Sequence, residues 1–349
     1  MPTSNCSRGR TGLNNRSDNY LAALPMKKLS CTSHALACAL ALLCAAAACG
    51  QSYPVKSVRL IVPYAPGGIV DYVGRLVGQR LADAFGQNVV IDNRPGAGGI
   101  IGIEITTTAS GDGYTLLIMD PAIVINPSLL AKVPYDLNRD LLPATILSSS
   151  PLVLAVNAKV PANTVQELVN LAKSQPGKLS FASAGIGTTP HMAGEMFKAR
   201  IRQNITHVPY KGSGPAMTDL IAGQVQISFT SITAALPFIK DGRLRGLATT
   251  GEKRALALSN LPTIAESGFP GFAVDLWLAL FVPSTTPGDI VSRLNSELKK
   301  ALQHPEVKSG FDKVGADPVG NTPQQAAVFV NSEFRKWAAV IKTANIKAD

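Results

Sequence analysis

Short apolar runs that lead through a glycine-rich loop into a segment of helical period most constrain the fold of this chain. The first run, Val58 to Val62, has the β-branched composition of a buried strand. The loop Pro63 to Gly68 follows, and apolar residues then recur at helical spacing from Val70 to Leu81. Because the order strand, loop, helix repeats along the chain, the sequence predicts an α/β fold with largely parallel sheets.

Further strands are predicted along the chain, and glycine-bearing loops follow several of them. The strands are predicted at Val89–Ile91, Tyr114–Met119, Leu152–Val156, Leu179–Ala182, Ile205–Val208, Val225–Phe229 and Leu244–Ala248. In α/β folds, ligands bind at the carboxyl ends of the strands. The glycine loops after Val62, Ala182 and Val208 all follow such ends, so they are expected to converge on one small-molecule site.

The first glycine loop suits a small anion. Gly67 and Gly68 lack side chains and allow a ligand to approach the main chain. The following helix offers unpaired N–H groups and the positive end of its dipole, which favour a carboxylate. The alternative is a plain strand-to-helix connection. Asp71 either interacts with the helix dipole or contacts the ligand or the loop backbone.

Motifs of the common cofactor and catalytic sites are missing from the sequence. It contains no Gly-x-Gly-x-x-Gly, no P-loop and no Gly-x-Ser-x-Gly elbow. His191, His207 and His304 have no metal-ligand spacing. We therefore predict no catalytic residue, no metal and no cofactor. A hydrolase built from distant Ser, His and Asp residues remains the less favoured alternative.

His191, His207 and Thr189 each have a predicted structural or ligand-binding role. His191 lies in the first turn of a predicted helix, where it either packs or contacts the ligand. His207 on its strand is interpreted as structural. Thr189 is predicted to cap the helix that contains His191, with Pro190 at the first helical position.

The first part of the chain has the composition of an export signal. Lys27 and Lys28 precede an unbroken Ala, Leu and Cys run from Ala35 to Ala48, and Ala48-Cys49-Gly50 is a small-x-small cleavage signal. The run is shorter than the roughly 20 residues that a transmembrane helix needs. Residues 1–50 are thus predicted to be an upstream extension and a signal peptide that starts at Met26. Lipid modification of Cys49 is the alternative.

Cysteine content and charge narrow the function further. All 5 cysteines lie between Cys6 and Cys49, so the remainder of the chain has neither disulfides nor cysteine chemistry. The net charge is +10, but the basic residues are scattered, which argues against nucleic acid as a partner.

Taken together, the loop sequences resemble a known family. Pro63-Tyr64-Ala65-Pro66-Gly67-Gly68-Ile69-Val70-Asp71 resembles the signature loop of the Bug family of extracytoplasmic solute receptors, the receptor subunits of tripartite tricarboxylate transporters. Further similar stretches are Asn93–Gly99, Asp112–Leu117, His207–Gly212 and Gly268–Gly271. Their order and spacing hold from about Tyr53 to Ile341.

The resemblance implies a two-lobed periplasmic binding protein fold of type II, with a hinge and a ligand cleft between the lobes. Residues 51–155 plus 278–349 would form lobe 1, and residues 156–277 would form lobe 2. It also implies a monomeric periplasmic receptor, not an enzyme, that delivers a small carboxylate to the membrane subunits of a tripartite tricarboxylate transporter. The alternative is the same module serving as the sensor partner of a membrane signalling protein.

The resemblance and the loop argument together give the expected ligand-binding residues. They are Tyr64, Ala65, Pro66, Gly67, Gly68, Asp71, Asp120, Ala122, Gly187, Thr188, Thr189, His191, Tyr210 and Thr230. Three departures from the family pattern bear on the ligand. Ile69 and Val70 replace residues that are often small or hydroxylic. Met119-Asp120-Pro121-Ala122 replaces a small Ser/Gly-rich loop, and Asp120 would repel a second carboxylate or accept from an amino group. Thr230 stands at a position that is often occupied by other polar residues. We therefore expect a ligand less polar than a tricarboxylate, an aromatic or aliphatic mono- or dicarboxylate.

Overall fold

The computed structural model describes residues 53–348. The predicted start at Met26, the signal peptide and the alternative lipid anchor at Cys49 lie outside these residues. Residues 53–348 belong to one compact unit. None of the helices within residues 53–348 combines a bilayer-spanning length with the required apolar character.

A 10-stranded sheet runs through this unit in the order β2-β1-β3-β9-β4-β7-β5-β6, with β8 and β10 also paired to β4. The strands are β1 (Val58–Val62), β2 (Val89–Asn93), β3 (Thr115–Met119), β4 (Leu141–Asn157), β5 (Ser180–Ser183), β6 (Thr206–Pro209), β7 (Ile227–Ser231), β8 (Leu244–Thr249), β9 (Asp275–Pro283) and β10 (Asp317–Pro318).

Helices follow most of the strands, as the repeated sequence pattern predicts. They are α1 (Ile69–Phe85), α2 (Ile100–Thr107), α3 (Ala122–Leu129), α4 (Leu137–Asp140), α5 (Val165–Ser174), α6 (Thr189–Ile201), α7 (Ser213–Ala222), α8 (Ile232–Lys240), α9 (Gly288–Gln303), α10 (Pro305–Lys313) and α11 (Pro323–Ala344).

The prediction of largely parallel sheets is only half right. Strands β1, β2 and β3 pair in parallel, and so do β5, β6 and β7. Between these two groups, β9 and β4 run antiparallel to their neighbours. Both strands link one parallel group to the other. The strand pattern predicts β4 only from Leu152 onward, and it gives no sign that either strand runs antiparallel.

Strand β4 belongs to both halves of the sheet. It has 17 residues. Residues 141–151 pair with β9, whereas residues 152–157 pair with β7 on one side and β8 on the other. The sheet therefore consists of two parallel-stranded halves that share one continuous strand.

The core contains the predicted buried side chains. Strand β1 is buried at every position except Arg59, and Met192 and Met196 of α6 are buried as their spacing predicts. Trp277 of β9 and Trp337 of the C-terminal helix α11 are both fully buried. Both indole N–H groups donate to Glu333 Oε2, at 3.1 and 3.2 Å, so this buried carboxylate is satisfied by its neighbours.

Candidate functional site

The loop between β1 and α1 presents its glycines to solvent in a fixed conformation. Gly67 has a φ of +92°, which is in the region that favours glycine. Gly68 is the N-cap residue of α1 and has no side chain with which to cap the helix. Both glycines are exposed, so the main chain of this loop is accessible to a ligand.

Asp71 holds this loop rather than facing solvent. Its side chain is buried, with 3% of the residue exposed, and its Oδ2 accepts from Gly67 N at 2.9 Å. Asn93 Nδ2 donates both to Asp71 Oδ1 and to the Tyr64 carbonyl, and Arg75 pairs with the carboxylate from the outside. Of the two roles expected for Asp71, the structure therefore shows contact with the loop backbone.

The charge of Asp71 is stabilised by the same contacts. Burial by itself raises the pKa of an aspartate, but the hydrogen bonds from Arg75, Gly67 and Asn93 outweigh it and hold the pKa of Asp71 below its ordinary value. The loop is therefore fixed by an ionised carboxylate at neutral pH.

Asp120 follows β3 at the same edge of the sheet. Its Oδ1 accepts from the Tyr64 hydroxyl at 2.9 Å and from Ala122 N at 3.0 Å. Burial raises the pKa of Asp120, and these bonds only partly oppose the effect. Tyr64 and Ala122 thus orient Asp120.

On the other half of the sheet, the start of α6 faces this edge. Thr188, and not Thr189 as predicted, is the N-cap residue, and its hydroxyl donates to the Gly185 carbonyl at 2.7 Å. Thr189 is the first helical residue and is 3% exposed, yet its Oγ1 has no hydrogen-bond partner among residues 53–348. A buried hydroxyl without a partner is uncommon, and it is a candidate donor to a ligand.

These junctions enclose a cleft of about 420 Å³ between the two halves of the sheet. Its lining comes from the loops after β1, β3, β5, β6 and β7 and from the strands that cross between the halves. The lining residues are Gly67, Gly68, Ile69, Tyr72, Asp120, Leu152, Ala184, Thr188, Thr189, Pro190, Ser213, Ser231, Thr233, Leu276 and Val314.

Five of the expected binding residues line this cleft: Gly67, Gly68, Asp120, Thr188 and Thr189. Tyr64, Asp71 and Ala122 lie behind it and position the lining residues through the hydrogen bonds described above. Ala65 and Pro66 are exposed on the loop beside it.

The remaining expected residues are engaged elsewhere. The Tyr210 hydroxyl donates to Asp219 Oδ2 at 2.6 Å, and Thr230 is buried in β7 opposite Val153 of β4. Gly187 N donates to His191 Nδ1 at 3.1 Å, and His191 lines a separate cavity. None of these four residues lines the cleft in this structure.

Several lining residues were missed by sequence reasoning. Ser231 ends β7 and caps α8, so capping chemistry could have pointed to it. Ser213 is the first residue of α7 after the Gly212 N-cap. Leu152, Leu276 and Val314 come from crossing strands and from the end of α10, where no local pattern marks a ligand contact.

His191 and His207 lie together although their spacing along the chain gave no sign of it. Their rings are stacked with centroids 4.1 Å apart. Burial lowers the pKa of His191 to about 3, with His207 and Lys198 adding to the effect. Burial also lowers the pKa of His207, to about 4. Both rings are therefore neutral at physiological pH.

Ser183 is the serine nearest to these histidines. Its Oγ lies 2.7 Å from His207 Nε2, but it also contacts both the carbonyl and the N–H of Gly185. Ser183 is only 1% exposed. A nucleophile needs an open face toward its substrate, so this pair is a structural contact and not a hydrolase centre.

The sequence profile described as "Tripartite tricarboxylate transporter family receptor" matches residues 73–346. The chain belongs to this family. The protein BugT of Bordetella pertussis is 36% identical over 305 residues, which cover 87% of this chain and 94% of BugT. The resemblance to the Bug receptors is therefore confirmed.

Two solved structures that are similar to this receptor contain carboxylates. "R. palustris Rpa4515 with adipate" has a TM-score of 0.76 and 35% identity, and covers 85% of this chain and 99% of its own. "MatC (Rpa3494) from Rhodopseudomonas palustris with bound malate" has a TM-score of 0.73 and 30% identity, and covers 83% of this chain and 100% of its own. The expected two-lobed solute-binding fold is confirmed, and the family is one of receptors rather than enzymes.

Proposed function

We propose that this receptor captures a small mono- or dicarboxylate with an apolar body in the cleft between its lobes. The main support is the buried Thr189 hydroxyl at the start of α6, which has no hydrogen-bond partner among residues 53–348. Thr189 lines the same cleft as the main chain of Gly67 and Gly68. A carboxylate between them would accept from the Thr189 hydroxyl and from N–H groups at the helix start. The relatives described with adipate and malate support this class of ligand.

The walls of the cleft favour a ligand with an apolar body. Ile69, Leu152, Leu276 and Val314 contribute apolar side chains, whereas lysine and arginine are absent from the residues that line it. A tricarboxylate would bring three charges into this setting without a cationic side chain to pair them. At about 420 Å³ the cleft is in the range typical of small-molecule sites, about 300–1,000 Å³.

The ligand class is tested by isothermal titration of the purified chain with adipate, malate, benzoate and citrate. We expect adipate or benzoate to bind at least about tenfold more tightly than citrate, a difference of about 1.4 kcal/mol. Tightest binding by citrate would contradict the proposal.

The role of Thr189 is tested by Thr189→Val, which keeps the shape and removes the hydroxyl. Loss of a hydrogen bond to a charged group, about 1.5–3 kcal/mol, predicts roughly 10- to 150-fold weaker binding of the best acid. Thr218→Val on the exposed face of α7 is the matched control, and its affinity should equal that of the wild type. Equal affinities for all three proteins would refute the assigned role.

We further propose that the receptor is a periplasmic monomer and delivers the acid to the membrane subunits of a tripartite transporter. The export-type leader and the family support this assignment. We also propose the expected lobes, residues 51–155 plus 278–349 and residues 156–277. The change of partner along β4, after Pro151, supports a boundary in this part of the chain but lies a few residues before it. Uptake of the acid by vesicles containing the membrane subunits should require this receptor. Uptake that is independent of it would contradict delivery.

A further inference from the structure

Three side chains with metal-binding groups converge behind the cleft. His191 and Glu195 are one turn apart on the same face of α6, and His207 reaches them from β6. One potential ligand atom from each lies within 4.8 Å of the other two. None of the three belongs to the acid-binding cleft.

The cluster is both held in place and accessible. His191 is 3% and Glu195 is 9% exposed, and Phe181 stacks on His207 with ring centroids 4.7 Å apart. A cavity of about 500 Å³, lined also by Ile186 and Lys347, opens onto all three side chains. An ion with its remaining water ligands could therefore reach them from solvent.

We propose that His191, Glu195 and His207 form a binding site for a divalent transition-metal ion, and that zinc is the ion whose preference they match best. Two imidazoles and one carboxylate are a three-ligand set that zinc uses while keeping its fourth position open to water. This set fits copper(I) less well, because that ion prefers thiolates. It also fits calcium and magnesium less well, because those ions prefer oxygen ligands.

The geometry needs a small adjustment for coordination. Ligand atoms about 2.1 Å from a tetrahedral ion lie roughly 3.4 Å from one another, so atoms at the outer separation of 4.8 Å must approach each other by about 1.4 Å. The two stacked rings have an interplanar angle of 26° and would splay slightly to direct both lone pairs at one point.

Coordination also changes the loop before α6. Gly187 N now donates to His191 Nδ1 at 3.1 Å. An ion at Nδ1 would displace this bond. An ion at Nε2 would place the ring proton on Nδ1, which could then no longer accept. In either case the Gly187 N–H is released, next to the Thr188 and Thr189 that line the cleft.

Lysine side chains moderate the expected affinity. Lys198 Nζ lies 2.9 Å from Glu195 Oε1 and competes with a metal ion for the carboxylate. The Lys347 side chain, at the cavity wall, adds to the local positive charge. We therefore expect zinc to bind on the order of micromolar, far more weakly than at structural zinc sites.

The test is isothermal titration with zinc chloride on the full chain, purified without a polyhistidine tag and with no organic acid present. We expect one zinc ion per chain at the site. His191→Ala, His207→Gln and the isosteric Glu195→Gln should each weaken binding by at least about tenfold. His304→Ala, which removes the capping histidine of α10, is the matched control and should bind as the wild type does.

Lys198→Gln gives a result that a merely structural cluster would not produce. Removing the competing ammonium should strengthen zinc binding several-fold without adding a ligand. The cysteines of the leader could also bind zinc. The affinity of such a site would be the same in the wild type and in all four cluster variants, so the variants distinguish the two sites. Cobalt(II) provides a second readout, since a tetrahedral site gives strong visible absorption that the three weakening variants should lose.

Two results would overturn the proposal. One is a wild-type chain that binds zinc no more tightly than about 1 mM. The other is unchanged zinc affinity in both Glu195→Gln and His207→Gln, with circular dichroism showing that these variants are folded. Because the readout is the metal alone, failure here leaves the acid-binding function standing, and failure of acid binding leaves this site standing.

Discussion

At the scale of single residues, two aspartates at one edge of the sheet have opposite environments. Asp71 is satisfied by three donor residues, which lower its pKa and keep it ionised. Asp120 also lines the cleft, and burial raises its pKa above the ordinary value. Asp71 therefore maintains the shape of the loop, whereas Asp120 is the group whose protonation can change what the cleft accepts.

The charge of Asp120 predicts a pH dependence of acid binding. Below its raised pKa the side chain is neutral and can donate to a carboxylate; above it, two negative charges a few ångströms apart repel by on the order of 2 kcal/mol. Affinity for a carboxylate should therefore rise as the pH falls toward the raised pKa of Asp120. Asp120→Asn should bind at least about tenfold more tightly at neutral pH and show a smaller pH effect, as measured by titration at a series of pH values.

Protonation of the ligand also changes with pH, but it does so equally for the variant and the wild type. The ratio of their affinities at each pH therefore reports Asp120 alone. Asp241→Asn, in an exposed ion pair with Arg243, is the control and should leave binding unchanged. Weaker binding by Asp120→Asn of an acid without N–H or O–H donors would contradict this role.

Substitution of Gly67 should affect stability and acid binding for different reasons. A Cβ at Gly67 meets no atom within 4 Å, so Gly67→Ala costs only the strain of a φ of +92°, about 1–2 kcal/mol of stability. The loop would relax from this strain and move its main chain, so acid affinity should fall at least about tenfold. Gly242 has a φ of +76° and equally open surroundings, in the turn before β8.

Gly242→Ala should therefore lose similar stability in denaturant unfolding but keep full acid affinity. Equal affinities for the two glycine variants would show that the conformation of the Gly67 loop does not matter for the ligand.

At the scale of elements, a helix or strand could be predicted when its sequence pattern lies within one short stretch of the chain. The β1–loop–α1 unit was predicted because a β-branched apolar run, a glycine loop and a helical period all occur within residues 58–81. Helix α3 was missed because Pro127 lies inside it, next to Asn126, and reads as a turn. Strand β4 was predicted only from Leu152 onward, since Pro143 and Pro151 interrupt its first part.

The candidate site divides in the same way. Gly67, Gly68, Thr188 and Thr189 could be found because strand ends and helix starts are written locally in the sequence. Leu276 and Val314 reach the cleft through tertiary packing, which no periodicity encodes. His191 and His207 meet because β6 pairs with β5 beside α6, a contact that their spacing in the chain could not show.

Helix α11 gives a prediction at this scale. Its N-terminus has a capping box, in which Thr322 accepts from Gln325 N and the Gln325 side chain accepts from Thr322 N. Thr322→Ala should lower the free energy of unfolding by about 1 kcal/mol, measured by urea denaturation. Thr218→Ala on α7 is the control and should change it by less than about 0.5 kcal/mol. Acid affinity should be unaffected in both.

At the scale of the whole molecule, the two halves of the sheet can respond to a ligand as hinged bodies. A ligand that contacts both Gly67 of one half and Thr189 of the other binds the closed form more tightly, and so shifts the equilibrium toward it. Small-angle scattering should show a smaller radius of gyration when the best acid saturates the receptor. An unchanged radius at saturation would contradict closure.

The continuity of β4 determines what kind of movement this can be. Its ladder shifts register near Pro143, Ile146 and Leu154, and the strand pairs with β9 up to Pro151 and with β7 and β8 beyond it. Bending of the strand where the partner changes would let the two halves turn relative to each other while each half keeps its own pairing. Opening would then resemble the flexing of one continuous strip of backbone, and the amides of residues 152–157 should exchange with deuterium equally slowly with and without the acid.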